Sequence, residues 1–152
     1  MAISPETIVS YFEQYGWSYE KIGESDFRTG FRGDVSVFRI TVRVTDDWVY
    51  FSISPFIVAP QDADCERKLY KHLLKLNHEI NMAKFTIDDE GDVVLTVELP
   101  GKELDYSEFS DALGALSYYA DDNYAQVFLL AHVPQAHTIL EGTDELDWES
   151  GQ

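Results

Sequence analysis

Basic residues are scarce in this chain and absent from its last third. Eleven Lys and Arg stand against 28 Asp and Glu, which gives a formal net charge of −17, and Lys102 is the last basic residue. Affinity for a nucleic-acid backbone comes mainly from Lys and Arg that displace counterions. The charge balance therefore argues against a nucleic-acid partner. It favours solubility through self-repulsion, or an acidic surface that steers basic partners or basic unfolded segments.

Cysteine and long apolar runs are also lacking. The single cysteine, Cys65, excludes an internal disulfide and is typical of a reducing compartment. No stretch approaches the roughly 20 apolar residues of a membrane span. The first residues show no basic segment followed by an apolar run, so no secretory signal is predicted. We therefore expect a cytoplasmic protein with no membrane partner.

The chain has none of the motifs that mark common enzymes. It contains no G-x-x-x-x-G-K-[ST] or G-x-G-x-x-G phosphate loop and no G-x-S-x-G nucleophile elbow. Cys65 and His72 are two helical turns apart, about 10 Å, which is too far for a catalytic pair. His132 and His137 lack further metal ligands, and the acids of residues 88–92 are typical of a hairpin turn rather than a calcium loop. We predict no catalytic residue, metal or cofactor.

Apolar periodicity predicts the central elements. Residues 62–80 place leucines and an isoleucine on one face of a helix. Residues 83–87 and 93–99 alternate on either side of an acidic turn, which predicts a hairpin. A Ser-Pro-Glu start predicts a first helix that ends at Gly16, and the Asp105–Glu108 spacing of a capping box opens a third helix that runs to about residue 132.

The strands before the central helix are less uniform. Residues 36–45 and 48–54 alternate clearly and predict two paired strands. Residues 17–22 could form a first strand, whereas two glycines make residues 27–33 a loop or a short edge strand. Residues 56–60 read as an apolar connection, bounded by prolines, that is unlike a regular inner strand.

The resulting order, α-β-β-β-α-β-β-α, predicts an α+β fold in which helices pack on one face of an antiparallel sheet. We expect residues 1–134 to form a single domain. Residues 135–152 are acidic and poor in core residues, so we expect a flexible C-terminal tail.

Arginines and aromatic residues share the outward side of the two clear strands. Arg39 and Arg43 alternate outward on one strand, and Trp48 and Tyr50 do so on the next. Such a surface can bind protein, because Trp, Tyr and Arg dominate interface energetics, or stack single-stranded bases. The third interpretation is cross-strand pairing with acids such as Glu20. The net charge disfavours the nucleic-acid interpretation.

A second candidate surface lies near the end of the third helix. Residues 127–133 are apolar nearly all round, and they include Phe128 and Leu129. A helix of this kind needs burial on more than one side, which predicts a contact with another chain.

Several stretches resemble the YbjN-like family over roughly residues 5–132. They are Phe31-Arg-Gly33, Trp48-Val-Tyr-Phe51, Leu73-Leu-Lys-Leu-Asn77, the hairpin of 85–100 and the Tyr119-Ala-Asp121 of the third helix. The resemblance implies the fold of the type III secretion chaperones. Those proteins are small, acidic and often homodimeric, bind extended client segments and catalyse nothing. It implies no catalytic residue.

Our first hypothesis is a non-enzymatic, chaperone-like or adaptor protein that binds a protein segment as a homodimer. Its predicted partner-binding residues are Arg39, Arg43, Trp48, Tyr50, Phe128 and Leu129. The alternative is a regulatory domain that binds a small ligand between sheet and helices. The candidate lining residues of that ligand site are Trp48, Tyr50, Tyr118 and Tyr119.

Overall fold

Helices cover one face of a six-stranded antiparallel sheet in the computed structural model, which describes residues 3–140. The strand order is β1-β2-β3-β4-β6-β5. In chain order the elements are α1 (Pro5–Tyr15), β1 (Glu20–Lys21), β2 (Asp26–Arg32), β3 (Val37–Val44), β4 (Trp48–Ile57), α2 (Ala63–Glu79), β5 (Lys84–Ile87), β6 (Val93–Pro100) and α3 (Tyr106–His132). The predicted α+β class and element order are confirmed, and the two-residue β1 lies within the first strand predicted at residues 17–22.

The helices begin and end where the sequence predicts. The Ser4 side chain accepts the Thr7 N–H at 3.2 Å, and Gly16 ends α1 with a φ of 88°. At α3 the Asp105 carboxylate accepts the Glu108 N–H at 2.8 Å, while the Glu108 carboxylate accepts the Asp105 N–H at 3.2 Å. These bonds satisfy backbone donors that a helix start leaves without partners.

Of the two alternatives predicted for residues 27–33, a loop or a short edge strand, the structure shows a strand, which is longer than expected and is paired with β1 only at Phe27 and Arg28. β2 pairs with β3 over its whole length, from Asp26 to Arg32, and β1 lies on its other side. A Cβ at Gly30 would sit 2.7 Å from the carbonyl oxygen of Phe38 on β3. The glycine that suggested a break is therefore the residue that lets the two strands approach closely.

The connection predicted at residues 56–60 is partly strand. β4 continues past Ser54 to Ile57, which pairs with Val93 of β6 after a shift in register. Phe56 and Ile57 are consecutive and both buried. A regular strand alternates its side chains, so the irregular register is what allows both residues to reach the core.

Aromatic packing joins the layers. Phe109, near the start of α3, contacts Phe12 of α1 at 5.0 Å between ring centroids and Phe51 of β4 at 5.7 Å. Phe27 of β2 completes the group, 5.9 Å from Phe12, and all four rings are fully buried. The core therefore lies between the helices and one sheet face. The alternate residues of the strands form the other face, which we call the outer sheet face.

Asn77 of α2 connects the helix to the edge strand β5. Its side-chain oxygen accepts the Phe85 N–H at 2.8 Å, and its side-chain nitrogen donates to the Phe85 carbonyl at 3.0 Å. An edge strand offers unpaired donors and acceptors to other chains. The Asn77 carboxamide bonds both the N–H and the carbonyl of Phe85, as a neighbouring strand would. Asn77, the last residue of the Leu73–Asn77 stretch, therefore protects the edge of the sheet at this position.

Replacing Asn77 by Ala should lower the free energy of unfolding by about 1–3 kcal/mol, because two backbone groups of the buried Phe85 lose their partner. Urea denaturation followed by circular dichroism measures the change. Asn81→Ala is the matched control, since Asn81 is exposed and is bonded through its backbone N–H, to the Tyr119 hydroxyl. Equal losses in both variants would contradict the role of Asn77.

Candidate functional site

The outer sheet face brings together four of the six predicted partner-binding residues. Arg43 of β3 is the register partner of Tyr50 on β4. Trp48 lies two residues before Tyr50 on the same face and is 43% exposed. Arg39 lies on the same face of β3, opposite Gly30. The period of two in the sequence was enough to place these side chains together.

Acids are interleaved with the arginines on this face. Arg43 Nε donates to Asp26 at 3.2 Å, and Lys84 forms an ion pair with Glu98. One row of register partners crosses all strands and consists of Glu20, Arg28, Thr41, Ser52, Thr96 and Lys84. Cross-strand pairing with acids, one of the three interpretations, is thus present for part of the face.

Three other arginines on the outer sheet face do not pair with acids of the described chain. Within residues 3–140, Arg28, Arg32 and Arg39 form no ion pair, and all three are exposed. Their guanidinium groups are available to carboxylates of another molecule, which they can bind in a bidentate manner. The face is therefore a basic, partly aromatic strip on a strongly acidic protein.

Phe128 and Leu129 lie elsewhere. Both are on α3, in the helical layer on the opposite side of the sheet, and each is 43% exposed. The Phe128 ring stacks on Tyr124 at 6.1 Å and contacts His132 at 5.1 Å. The structure therefore divides the six predicted residues between two surfaces, which we call the outer sheet face and the Phe128 patch.

The four residues proposed to line a small-ligand site do not meet. Trp48 and Tyr50 lie on the outer sheet face, whereas Tyr118 and Tyr119 lie on α3 on the other side of the sheet. Tyr118 instead borders an open groove of about 700 Å³ between α3 and the β2–β3 turn. Strand alternation turns Trp48 and Tyr50 away from α3, so the sheet itself separates them from Tyr118 and Tyr119.

Asp121 builds one wall of that groove, a role that sequence reasoning missed. Its carboxylate accepts the backbone N–H groups of Asp34 at 2.8 Å and of Val35 at 3.3 Å. It therefore fastens the β2–β3 turn to the middle of α3. No local signal marks such a contact, since the partners are more than 80 residues apart in the sequence.

Cys65 and His72, the two residues considered as a catalytic pair, are both buried on α2. Cys65 is buried, and this burial raises the pKa of its thiol, which a hydrogen bond to Asp62 raises further. His72 is 2% exposed, more buried than its place at the edge of the apolar stripe suggested, and its Nδ1 shares a hydrogen bond of 2.5 Å with the Thr138 hydroxyl. The pair thus serves the packing of α2.

The acids between β5 and β6 make turn contacts. Asp88 accepts the N–H groups of Glu90 at 2.9 Å and Asp92 at 3.0 Å, and Asp92 accepts the Ala59 N–H at 2.8 Å. Although the carboxylates of 88, 90 and 92 lie within 4.8 Å of one another, these bonds explain the acids as hairpin chemistry.

The described part of the predicted tail contacts the helices. Lys68 of α2 donates to the carbonyls of Pro134 and Ala136, both at 2.7 Å, and Gln126 of α3 accepts the Ile139 N–H at 3.2 Å. Residues 135–140 thus lie against α2 and α3. Residues 141–152 lie outside the described part of the chain, and their assignment to a flexible tail stays a prediction.

Cys65 should react slowly with a thiol reagent in the native protein, because it is buried and its raised pKa lowers the thiolate fraction. The reaction should become fast on unfolding in denaturant. A Cys65→Ser, Ser10→Cys variant, which places the thiol at an exposed position of α1, should react at once. Fast native labelling of Cys65 would reveal an accessible nucleophile and contradict its structural role.

Comparison with known proteins finds a family model and several solved structures that are similar to this chain. The sequence matches the YbjN family, described as "Putative bacterial sensory transduction regulator", over residues 4–129. No curated protein matches it. Among residues 3–140, no helix is both long enough and apolar enough to cross a bilayer.

Solved structures that share the fold include the following three. YbjN from E. coli is 16% identical, with a TM-score of 0.58, and the match covers 79% of this chain and 90% of that one. A chain of the heterodimeric complex ExoU-SpcU from the type III secretion system of Pseudomonas aeruginosa is 16% identical, with a TM-score of 0.54 and coverages of 80% and 95%. A chain of the ExsC-ExsE complex is 13% identical, with a TM-score of 0.55 and coverages of 79% and 90%. The predicted type III secretion chaperone-like fold is thereby confirmed.

Proposed function

The chain belongs to the YbjN family, and from this premise we propose that it is a non-enzymatic, chaperone-like or adaptor protein that binds a protein segment and works as a homodimer. The observation that carries the proposal is the outer sheet face. Within residues 3–140 no helix covers this face. It holds Trp48 and Tyr50, and it presents arginines that form no ion pair in that part of the chain. The buried Cys65 fits a cytoplasmic protein.

The fold supports a binding role by analogy. Two of the similar structures are complexes of two different proteins, ExoU-SpcU and ExsC-ExsE. Sequence identities of 13–16% are enough to show a shared fold, but they do not indicate which residues of this chain contact a partner. The surface chemistry of this chain must therefore define what it binds.

The outer sheet face favours an acidic segment with aromatic or aliphatic anchors. Arg28, Arg32 and Arg39 supply bidentate donors for carboxylates, and Trp48 and Tyr50 supply the large rigid surfaces that dominate interface energies. The many acids of the protein repel an acidic segment that approaches the acidic parts of the surface, which favours binding at a basic face such as this one.

The Phe128 patch supports the homodimer. Phe128 and Leu129 are neighbouring apolar side chains, nearly half exposed, above the buried Val127 and Leu130. Tyr124 and His132 extend the patch along α3. An isologous contact between two such patches would bury them together and leave the outer sheet face of each subunit open to its segment.

Phe128→Asp should raise the dimer dissociation constant at least tenfold, which corresponds to about 1.4 kcal/mol of binding free energy. The reason is that a symmetric interface would bury two unpaired carboxylates, one from each subunit. Sedimentation velocity over a micromolar concentration series measures the change. Tyr118→Asp is the control, since Tyr118 is also an exposed aromatic of α3 but lies beside the groove. A wild-type monomer at these concentrations, or equal effects of both variants, would rule out this interface.

Arg39→Glu combined with Arg43→Glu should remove the bound segment. The measurement is a tagged pull-down from lysate of the native source, compared quantitatively by mass spectrometry. Arg67→Glu with Lys102→Glu changes the net charge equally away from the outer sheet face. A partner enriched with the wild type and this control, and lost with the Arg39 and Arg43 variant, is the expected result. Identical lists for all three proteins would refute the proposed face.

A further inference from the structure

Four residues of the outer sheet face form a square of two neighbouring register pairs. Arg28 of β2 pairs with Thr41 of β3, and Gly30 pairs with Arg39. Positions two apart on a strand are separated by roughly 7 Å, and side chains directly opposite each other by about 5 Å. All four positions therefore lie within reach of one small chemical group. We call them the Gly30 square.

The side chains of the Gly30 square are hydrogen-bond donors around an open centre. Arg28 and Arg39 carry guanidinium groups, which donate and never accept. Thr41 carries a hydroxyl, and Gly30 has no side chain. Arg28, Gly30 and Arg39 line a shallow depression of about 370 Å³. The two guanidinium groups can therefore converge above Gly30 from two different strands.

Positive charge on the Gly30 square is not neutralised by the described chain. Arg28 and Arg39 are exposed, and neither forms an ion pair within residues 3–140. Arg32, two residues beyond Gly30 on the same face, adds a third positive charge. Glu20 lies opposite Arg28 on β1, but it also forms no ion pair in the described part of the chain. Because like charges at this spacing repel each other, an anion held between the arginines would stabilise the square.

A phosphate monoester matches these donors better than a carboxylate does. It carries a charge of about −1.5 to −2 at neutral pH and three terminal acceptor oxygens, which suits two guanidinium groups and one hydroxyl. A carboxylate brings one charge and two oxygens, and a single bidentate arginine uses both of them. The second arginine of the square would then have no acceptor from the ligand.

The open shape of the site indicates a phosphate that is carried by a protein segment. Sites for small molecules bury most of their ligand, whereas this depression is shallow and lies on a sheet face. Thr41 also borders a second depression, of about 460 Å³, together with Tyr50 and Ser52. A segment with its phosphate on the Gly30 square can continue across the sheet to Tyr50. The net charge of −17 disfavours the phosphates of nucleic acids and of anionic membranes.

We propose that the Gly30 square binds the phosphate group of a phosphorylated side chain in a protein segment. Arg28 and Arg39 bind its oxygens from two strands, and Thr41 donates a further hydrogen bond. The inference rests on the function proposed above, because the segment is the one that the outer sheet face binds. Phosphorylation of that segment then determines whether it is bound.

Defined peptides test the proposal. Three fluorescein-labelled peptides share one extended sequence with two tyrosines and differ at a central position, which is phosphoserine, glutamate or serine. Fluorescence anisotropy with the full chain, at protein concentrations up to millimolar, measures their dissociation constants. We expect the phosphoserine peptide to bind at least tenfold more tightly than the glutamate peptide, and inorganic phosphate to compete only weakly.

Three outcomes would overturn the proposal. They are no binding of the phosphoserine peptide, equal affinities of the phosphoserine and glutamate peptides, and competition by inorganic phosphate as strong as by the unlabelled phosphoserine peptide. The last outcome would show that the site recognises free phosphate rather than a segment.

Matched variants locate the bound peptide. Arg28→Ala with Arg39→Ala should weaken binding of the phosphoserine peptide at least tenfold. Arg28→Lys with Arg39→Lys keeps the charge but loses the bidentate geometry, and should weaken it several-fold. The control, Arg67→Ala with Lys102→Ala, removes the same charge outside the strands and should change the affinity less than twofold. Equal losses in the alanine variant and the control would refute the Gly30 square. All four replaced side chains are exposed, and circular dichroism verifies that the variants fold.

This inference and the proposed function can fail separately. If the pull-down described above captures no partner while the phosphoserine peptide binds through Arg28 and Arg39, the adaptor role is refuted and the phosphate site stands. If a captured partner stays bound after phosphatase treatment of the lysate, the proposed function stands and the phosphate inference is refuted.

Discussion

The packing of a single sheet face against the helices is the interaction on which the rest of this structure depends. Phe109 of α3 contacts both α1 and β4, so one buried ring connects three elements that are distant in sequence. Apolar burial is the main favourable term in folding, and here it is concentrated between the two layers. Because the helices of residues 3–140 lie on one side, the opposite sheet face remains open and is available for recognition.

The distribution of the few positive charges follows from this layering. On a protein of net charge −17, the arginines of β2 and β3 gather on the outer sheet face, and four further bases gather on α2. The two basic regions lie on opposite sides of the sheet. Such a pattern restricts where an acidic segment of another protein can bind.

The sequence predicted the regular features because they rest on local periodicity. Alternation placed Arg39, Arg43, Trp48 and Tyr50 on one face, and capping patterns placed the starts of α1 and α3. It could not decide the role of Gly30, since a glycine that permits close strand pairing and a glycine that breaks a strand look the same in one dimension. It also joined Phe128 and Leu129 to the arginines as one set of partner-binding residues, which the sheet separates.

By itself, the sequence determined the fold class, the order of elements, the amphipathic faces and the scarcity of positive charge, since each depends on composition or on neighbours a few residues apart. The tertiary structure alone decided the contacts between distant segments. Asp121 fastens a turn nearly ninety residues earlier, Asn77 occupies the backbone of an edge strand, and Lys68 and His72 hold the chain after α3. Such bonds require two surfaces that only the packed core brings together, so no local pattern in the chain encodes them.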